Sequence, residues 1–586
     1  MTTKFIEEVF ITPIRSVLII DDEYPTIDSL LETRDKRSNF WETCSPEVLR
    51  NADDLLSFTK FCRESDRGWL VDVHDGQNIE FSNEVPLASH LIERDLLILD
   101  YHIDGDSGTP SKAVQILKKL SGSSNFNIVI VYSKDNPDKI FREIVLDFVS
   151  PQFRPSLTVD ESESVRRGII EWYIEDAEIE SKLKESITGS VYIELFLLKE
   201  SKLRDSNVKL VCSNFLNLLK GKPDSLRDLS NQLIFNYFLS EFEARMPNEI
   251  ASLTSISRPT ATTKWIRSDN LFVTFVQKSS EGNSAELIPT AIEALCDWNP
   301  SPNRLFLSKF RAVLAAQAAQ ADDKAMRNLE MQALWLHEML SADPLERRGR
   351  IQDAVARYGE RLLDAAIPDV TSFACDVIKL FDDDEDKGAV VKRFFSIDIK
   401  DGPSLQEARI GHNIYCCSKE PVGSHLTIGH ILEMGSDLWV CLTPACDLVP
   451  MRKSKFPGDA IRFKAVKLYV CPTAEAALSD KGGSTLFLDI SGRRRFLSFN
   501  RDCVEGASPD WAEFLALNQG AISQASLSID ICRFSWVKTS ENEAEDFGPM
   551  HHLDKAKIVS QLRYEYAINL LHRLGHNLAR VGLDFR

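Results

Sequence analysis

The chain has 586 residues, 43% hydrophobic and 27% charged, with a net charge of -19. These proportions fit a globular chain of about three or four domains and exclude a disordered or fibrous one. No apolar run approaches the roughly 18 residues that cross a bilayer, the start MTTKFIEEVF lacks the pattern of a secretory signal, and 12 scattered cysteines lack a scaffold spacing, so a cytoplasmic protein with reduced thiols and no membrane partner is expected.

In chain order, the first predicted elements are three short apolar runs. SVLII (16–20) ends at Asp21, DLLIL (95–99) ends at Asp100, and NIVIVY (127–132) ends at Ser133. Each is rich in Ile, Val and Leu without alternation, as strands buried on both faces of a parallel sheet are. Between the second and third, SGTPSKAVQILKKL has a proline start and apolar spacing that predict a helix. The fold class is therefore multidomain, opening with a doubly wound α/β domain, and its ligand site belongs at the carboxyl ends of the strands. From 158 to 380 the pattern is mainly helical, with one strand-like run, LFVTFVQK (271–278). FDDDEDKG supplies an acidic linker at 381–388. Residues 389–540 contain many short runs, RFFSID, NIYCC, HLTIGHILEM, DLWVCLT, AIRFKAVKLYV, STLFLDI and RRRFLSF, which predict a β-rich domain as an antiparallel sheet or small barrel. The tail, 541–586, including DKAKIVSQLRYEYAINLLHRL, is expected to be a terminal helix.

The chemistry concentrates in the first domain. Adjacent carboxylates Asp21 and Asp22 at one strand end, and Asp100 at the next, supply hard oxygen ligands for Mg2+ with Asp100 placed as a nucleophile. Ser133 supplies a hydroxyl beside them, and the carbonyl of His102 is a further candidate ligand. The order IIDDE, LLILD, VIVYS resembles the receiver domains of response regulators over about residues 15–155. The resemblance implies that Asp21 and Asp22 hold the metal together with Asp100, that Asp100 accepts the phosphoryl group, and that Ser133 is the switch hydroxyl. It also implies a sensor kinase or related ATPase as donor. The 78-residue gap between Asp22 and Asp100 implies an insertion within 35–90 of the domain at 1–157. Receivers also carry a lysine at the end of the fifth strand. FVSPQFRPSLTV contains none, and Lys134 is the nearest substitute.

Other readings compete in the later part. Cys446 and Asp447, with His412, His425 and His430 upstream, are the place for an effector enzyme of nuclease or hydrolase type, although a structural loop is the simpler reading. Residues 389–586 are close to charge-neutral, and Arg452, Lys453, Lys455, Arg462, Lys464, Lys467 and Arg493 to Arg495 fit either a weak nucleic-acid surface or a solvated sheet face. The acidic remainder repels phosphate backbones. No phosphate-binding loop, HExxH or kinase signature is present. The whole reads as a phosphorylation-controlled regulator rather than a turnover enzyme. It resembles receiver-plus-output components of bacterial stress or phage-defence operons, with a pseudo-receiver scaffold as the other alternative.

Overall fold

The computed structural model describes residues 3–26, 46–64, 67–76, 79, 94–103, 111–123, 125–149, 151–246, 253–258, 260–279, 284–320, 328–342, 344–449, 460–480, 483–504, 506–523, 525–538 and 547–578. The chain forms two compact units, residues 1–312 with 373–380, and residues 313–372 with 381–586.

The first unit is built on a seven-stranded sheet. Its strands are β1 (Ser16–Ile20), β2 (Leu70–His74), β3 (Leu96–Leu99), β4 (Asn127–Ser133), β5 (Leu253–Ile256), β6 (Trp265–Ser268) and β7 (Leu271–Gln277), in the order β2-β1-β3-β4-β7-β6-β5. The first five in that order are parallel, and β6 and β5 add an antiparallel margin. Alternate residues feed two cores, as the two-residue period of a strand requires. Leu18, Ile20, Leu97, Leu99, Val129 and Val131 face one core with helices α2 (Ser111–Ser121) and α3 (Pro137–Phe148). Val17, Ile19, Leu96, Ile98, Ile128 and Ile130 face the other, where α1 (Pro46–Cys62) and α4 (Leu287–Trp298) contribute Phe58, Cys62, Leu287, Ile288 and Ala291. A doubly wound parallel sheet follows, as the buried apolar runs predict. Of the insertion expected within 35–90, the described part comprises α1 and β2, both elements of this layered sheet.

The sheet is interrupted in sequence between β4 and β7. After α3 the chain makes a set of helices, from Val159–Glu175 to Asn231–Glu243, before returning through β5 and β6. Thr158 and Glu161 close a capping box at the first of them. Glu243 ties the last to the segment following α3. Its carboxylate accepts from the backbone N–H of Phe153 (3.0 Å) and Arg154 (2.8 Å) and from the hydroxyl of Tyr192 (2.6 Å). The helices share a continuous core with α2 and α3. LFVTFVQ is thus a strand of the N-terminal sheet rather than a β stretch of the middle region.

In the second unit β9 (His430–Met434), β10 (Asp437–Cys441), β11 (Ile461–Val470), β14 (Trp511–Ala516), β15 (Ser528–Lys538) and β16 (Phe547–Leu562) pair antiparallel in a closed circuit, because β10 bonds both β9 and β11. β12 (Thr485–Ile490) and β13 (Arg493–Ser498) extend from β11, and the two-residue β8 (Ser418–Lys419) pairs with the end of β16. Leu432, Trp439, Phe463, Phe514, Ile531 and Ile558 pack in one core of this barrel-like sheet.

Two expectations are corrected here. RFFSID and NIYCC are not β runs: RFF ends the helix Lys387–Phe395 and NIYCC ends the helix Gly402–Cys417, each started by an aspartate cap, Asp386 and Asp401. The proposed linker at 381–388 overlaps the start of the first. In the tail, DKAKIVSQL is strand, and the helix described there begins only at Tyr564, because Ala556 and Ile558 alternate into the barrel core.

Candidate functional site

The backbone places four strand ends together. Asp21 follows β1 and its N–H donates to His74 O (3.0 Å). Asp100 follows β3 and donates to Ile20 O (2.9 Å), and Lys278 follows β7 and donates to Ser133 O (2.7 Å). The parallel ladders therefore run one residue past each strand and fix where these side chains start. The order of the strands reverses at β1 and β3, the position at which doubly wound sheets open a crevice.

Within that crevice, oxygens of Asp21, Asp22 and Asp100 lie within 4.8 Å of one another. Lys278 Nζ donates to Asp21 Oδ2 at 2.7 Å and to Asp100 Oδ2 at 2.8 Å. Asp21 Oδ1 accepts Glu23 N–H (2.9 Å), and Asp100 Oδ1 accepts His102 N–H (3.3 Å). Three carboxylates share one ammonium, and the pocket keeps a surplus of negative charge. Burial pushes the Asp21 carboxyl up to about 6, with Lys278 pulling against it and Asp100 adding repulsion. Burial and the charge of Asp100 raise Asp22 as well. Burial opposes the charge on Lys278, but Asp21 and Asp100 outweigh it and raise its pKa, so the ammonium is held charged.

These residues fit a magnesium ion. Asp22 Oδ1 is buried without a hydrogen-bond partner, and the surplus charge of three hard oxygen donors is what a small divalent cation neutralises. Among the described residues this is the one His/Cys/Asp/Glu cluster of that kind.

Ser133 is buried, and its Oγ accepts Asp135 N–H at 3.4 Å. Asp135 also meets His102 Nε2 at 3.2 Å and Lys139 Nζ at 2.9 Å, so the loops after β3 and β4 are joined. Lys134 does not enter the pocket; it pairs with Glu23 at the rim.

Sequence reasoning missed Lys278 and its support. Nζ stands 5.7 Å from the ring centre of Tyr24 and 5.6 Å from that of Tyr132. Both phenol hydroxyls donate to Asp54 Oδ2 from α1, at 2.8 and 3.3 Å. Asp54 Oδ1 accepts Ser284 N–H and its carbonyl accepts the Ser284 hydroxyl, each at 3.2 Å. One signal for the lysine was available. LFVTFVQK is a fourth buried apolar run ending at a polar residue, like the runs that end at Asp21, Asp100 and Ser133.

Residues 13–172 match the family model of the response receiver domain. The N-terminal region is a receiver domain. The matched range contains β1 to β4, Asp21, Asp22, Asp100 and Ser133, and stops inside the first inserted helix, so β7 and Lys278 lie beyond it. No curated protein and no solved structure matches the chain. A receiver domain points to a signalling regulator and, in general, to a phosphodonor kinase as partner.

The sequence-predicted residues of the second unit are distributed as follows. Cys446 is exposed, with its Sγ 3.8 Å from Asp447 Oδ1. His412 Nε2 meets Cys416 Sγ (3.5 Å), His425 Nδ1 meets Ser424 Oγ (2.9 Å), and His430 is buried with Nδ1 accepting Thr427 N–H (3.2 Å). Lys464 and Arg462 lie near Glu513, Lys467 pairs with Asp437 and Arg494 with Glu407, the pattern of a solvated sheet face. Arg452, Lys453 and Lys455 lie outside the described residues.

No helix among the described residues is long and apolar enough to cross a membrane.

Proposed function

We propose that the chain is a phosphorylation-controlled regulator in which Asp100 accepts a phosphoryl group from a partner kinase and the second unit carries the output. The observation that supports this best is the double contact of Lys278 Nζ with Asp21 and Asp100, which completes an acid pocket that four strand ends build together.

In this reading Asp100 Oδ attacks the phosphorus of the donor, the new P–O bond forms as the bond to the donor breaks, and the donor leaves with its electron pair. Asp21, Asp22 and Asp100 would hold Mg2+, which supplies charge neutralisation for the phosphoryl oxygens. Lys278 donates to the same oxygens, and Ser133 Oγ leaves Asp135 N–H to donate to one of them. Movement of the loop after β4 then reaches α3 and the inserted helices packed on it. A role in stress response or phage defence rests on resemblance alone.

Beryllium fluoride with magnesium, read by thermal shift on the wild type and Asp100→Asn, tests the reading. A rise in the wild type alone supports it. No rise in either makes the pocket a pseudo-receiver surface and moves the search for function to the second unit.

A further inference from the structure

The opposite, amino-terminal edge of the same sheet carries a second concentration of charge. β4 starts at Asn127 and β7 at Leu271, so the loop ending at Phe126 and the β6–β7 turn meet there. Asn127 N–H donates to Asn270 O (2.8 Å), and Asn270 Nδ2 donates to Ser123 O (2.6 Å). α4 ends alongside at Trp298, and helix α5 (Pro302–Gln320) begins. Phe126 and Trp298 stack with centroids 6.4 Å apart, and Phe10 lies 5.8 Å from each. Two guanidinium groups cover this aromatic floor, Arg304 at 4.2 Å from the Phe126 centroid and Arg267 at 4.8 Å from that of Trp298.

A guanidinium carries five N–H donors at its edges, and stacking on a ring satisfies only its face. Here Arg304 Nε and Nη2 and Arg267 Nε are buried without a hydrogen-bond partner. Burial lowers the pKa of both, and repulsion from Arg267 and Arg311 adds to the effect on Arg304; Asp269 is the carboxylate that opposes it. Buried like charges with unpaired donors are costly, and few persist without a reason. Guanidinium edges match oxyanions in a fork geometry. A carboxylate has two oxygens and suits one fork, whereas a phosphoryl group offers three or four and can serve two arginines together.

We infer that this edge is a binding site for a phosphate-bearing anion, held by Arg267 and Arg304 over Phe126 and Trp298, with Arg311 adding positive charge. The site lies at the other end of the strands from Asp100 and does not depend on phosphorylation there. Free phosphate and a phosphomonoester share the chemistry that the arginines read.

The test is a thermal shift on the full chain in inorganic phosphate, in adenosine monophosphate and in acetate, each at matched ionic strength against chloride. Wild type, Asp100→Asn, Arg267→Met and Arg304→Met are compared. Phosphate should raise the melting temperature of the wild type and of Asp100→Asn by a few degrees, acetate should not, and both arginine variants should lose the response. A larger rise with adenosine monophosphate assigns a phosphomonoester, and a smaller one assigns free phosphate. In chloride alone Arg304→Met should melt at or above the wild-type temperature, because an unpaired buried charge is gone. The inference fails if phosphate shifts nothing, if acetate does as well, if both arginine variants keep the response, or if Asp100→Asn loses it. It fails equally if Arg304→Met melts well below the wild type in chloride, which would mean that the arginine is already satisfied.

Discussion

Lys278 Nζ lies 2.8 Å from Asp100 Oδ2, although 178 residues separate the two in the chain. The contact is made across neighbouring parts of one sheet, because β4 stands between β3 and β7 and all three run parallel. Much of the distance in sequence is an inserted set of helices, Val159–Glu243, and the distance in space is that of an ordinary ion pair.

Replacing this lysine should be costly. Lys278→Met leaves Asp21 and Asp100 buried and facing each other without their cation, and loss of one partner of a buried pair destabilises by about 3–5 kcal/mol. Urea unfolding at neutral pH should show a loss of that order, and magnesium should recover more stability in the variant than in the wild type. An unchanged midpoint would mean that the ammonium does not balance the pocket.

Asp54 should matter through two phenols. Tyr132→Phe removes one hydrogen bond and should cost about 1 kcal/mol, whereas Asp54→Ala removes the acceptor shared by the Tyr24 and Tyr132 hydroxyls and by Ser284 N–H and should cost about 2–3 kcal/mol. Chemical denaturation of both variants checks the ratio. Equal losses would show that Asp54 supports only one of the rings beneath Lys278.

Glu243 is the tie between the inserted helices and the segment after α3. Glu243→Ala leaves two backbone N–H groups and the Tyr192 hydroxyl without their acceptor, a loss of about 3 kcal/mol, while Glu243→Gln keeps one acceptor oxygen and should lose less. Hydrogen exchange should show faster opening of Val159–Glu243 in the alanine variant. Exchange that speeds up evenly across the first unit would place the effect elsewhere.

His430 gives the second unit an acid sensitivity. Burial pushes its pKa from 6.5 down to about 4, so below about pH 6.5 the unfolded chain takes up a proton that the folded ring refuses until about pH 4. The group's contribution is complete above pH 6.5, falls by about 1.4 kcal/mol per pH unit through that window, and levels off below it. His430→Gln should flatten this part of the pH–stability curve. A slope unchanged by the substitution would assign the acid sensitivity to other groups.

The acid pocket was legible because each of its first three members ends an uninterrupted apolar run, and such runs mean a buried parallel strand. Lys278 was hidden by connectivity. Its strand has the same composition as the others, but pattern reading places consecutive strands near one another in sequence, and the inserted helices break that habit. Tyr24, Tyr132 and Asp54 were illegible for another reason, since the hydroxyls of a tyrosine in the turn after β1 and of one near the end of β4 converge on a helix residue only once the layers are stacked. In the second unit RFFSID read as strand because aromatic residues favour sheets, whereas the caps at Asp386 and Asp401 settle those segments as helix. DKAKIVSQL was drawn toward the tail's helical spacing, and its alternation was decided by the barrel it joins.

The position of the insert also bears on synthesis. β4 leaves the ribosome with β3 as its available neighbour, and its far side, NIVIVYS, stays an open apolar edge until β7 follows about 140 residues later at synthesis rates of roughly 5–20 residues per second. For that interval the nascent domain offers a template for pairing with other chains. The inserted helices, made in the meantime, pack on α2 and α3 and can shelter only the neighbouring face. A fragment cut near residue 157 would keep this edge permanently and should aggregate, where one cut after residue 380, which retains β7 and the 373–380 segment of the first unit, should stay in solution.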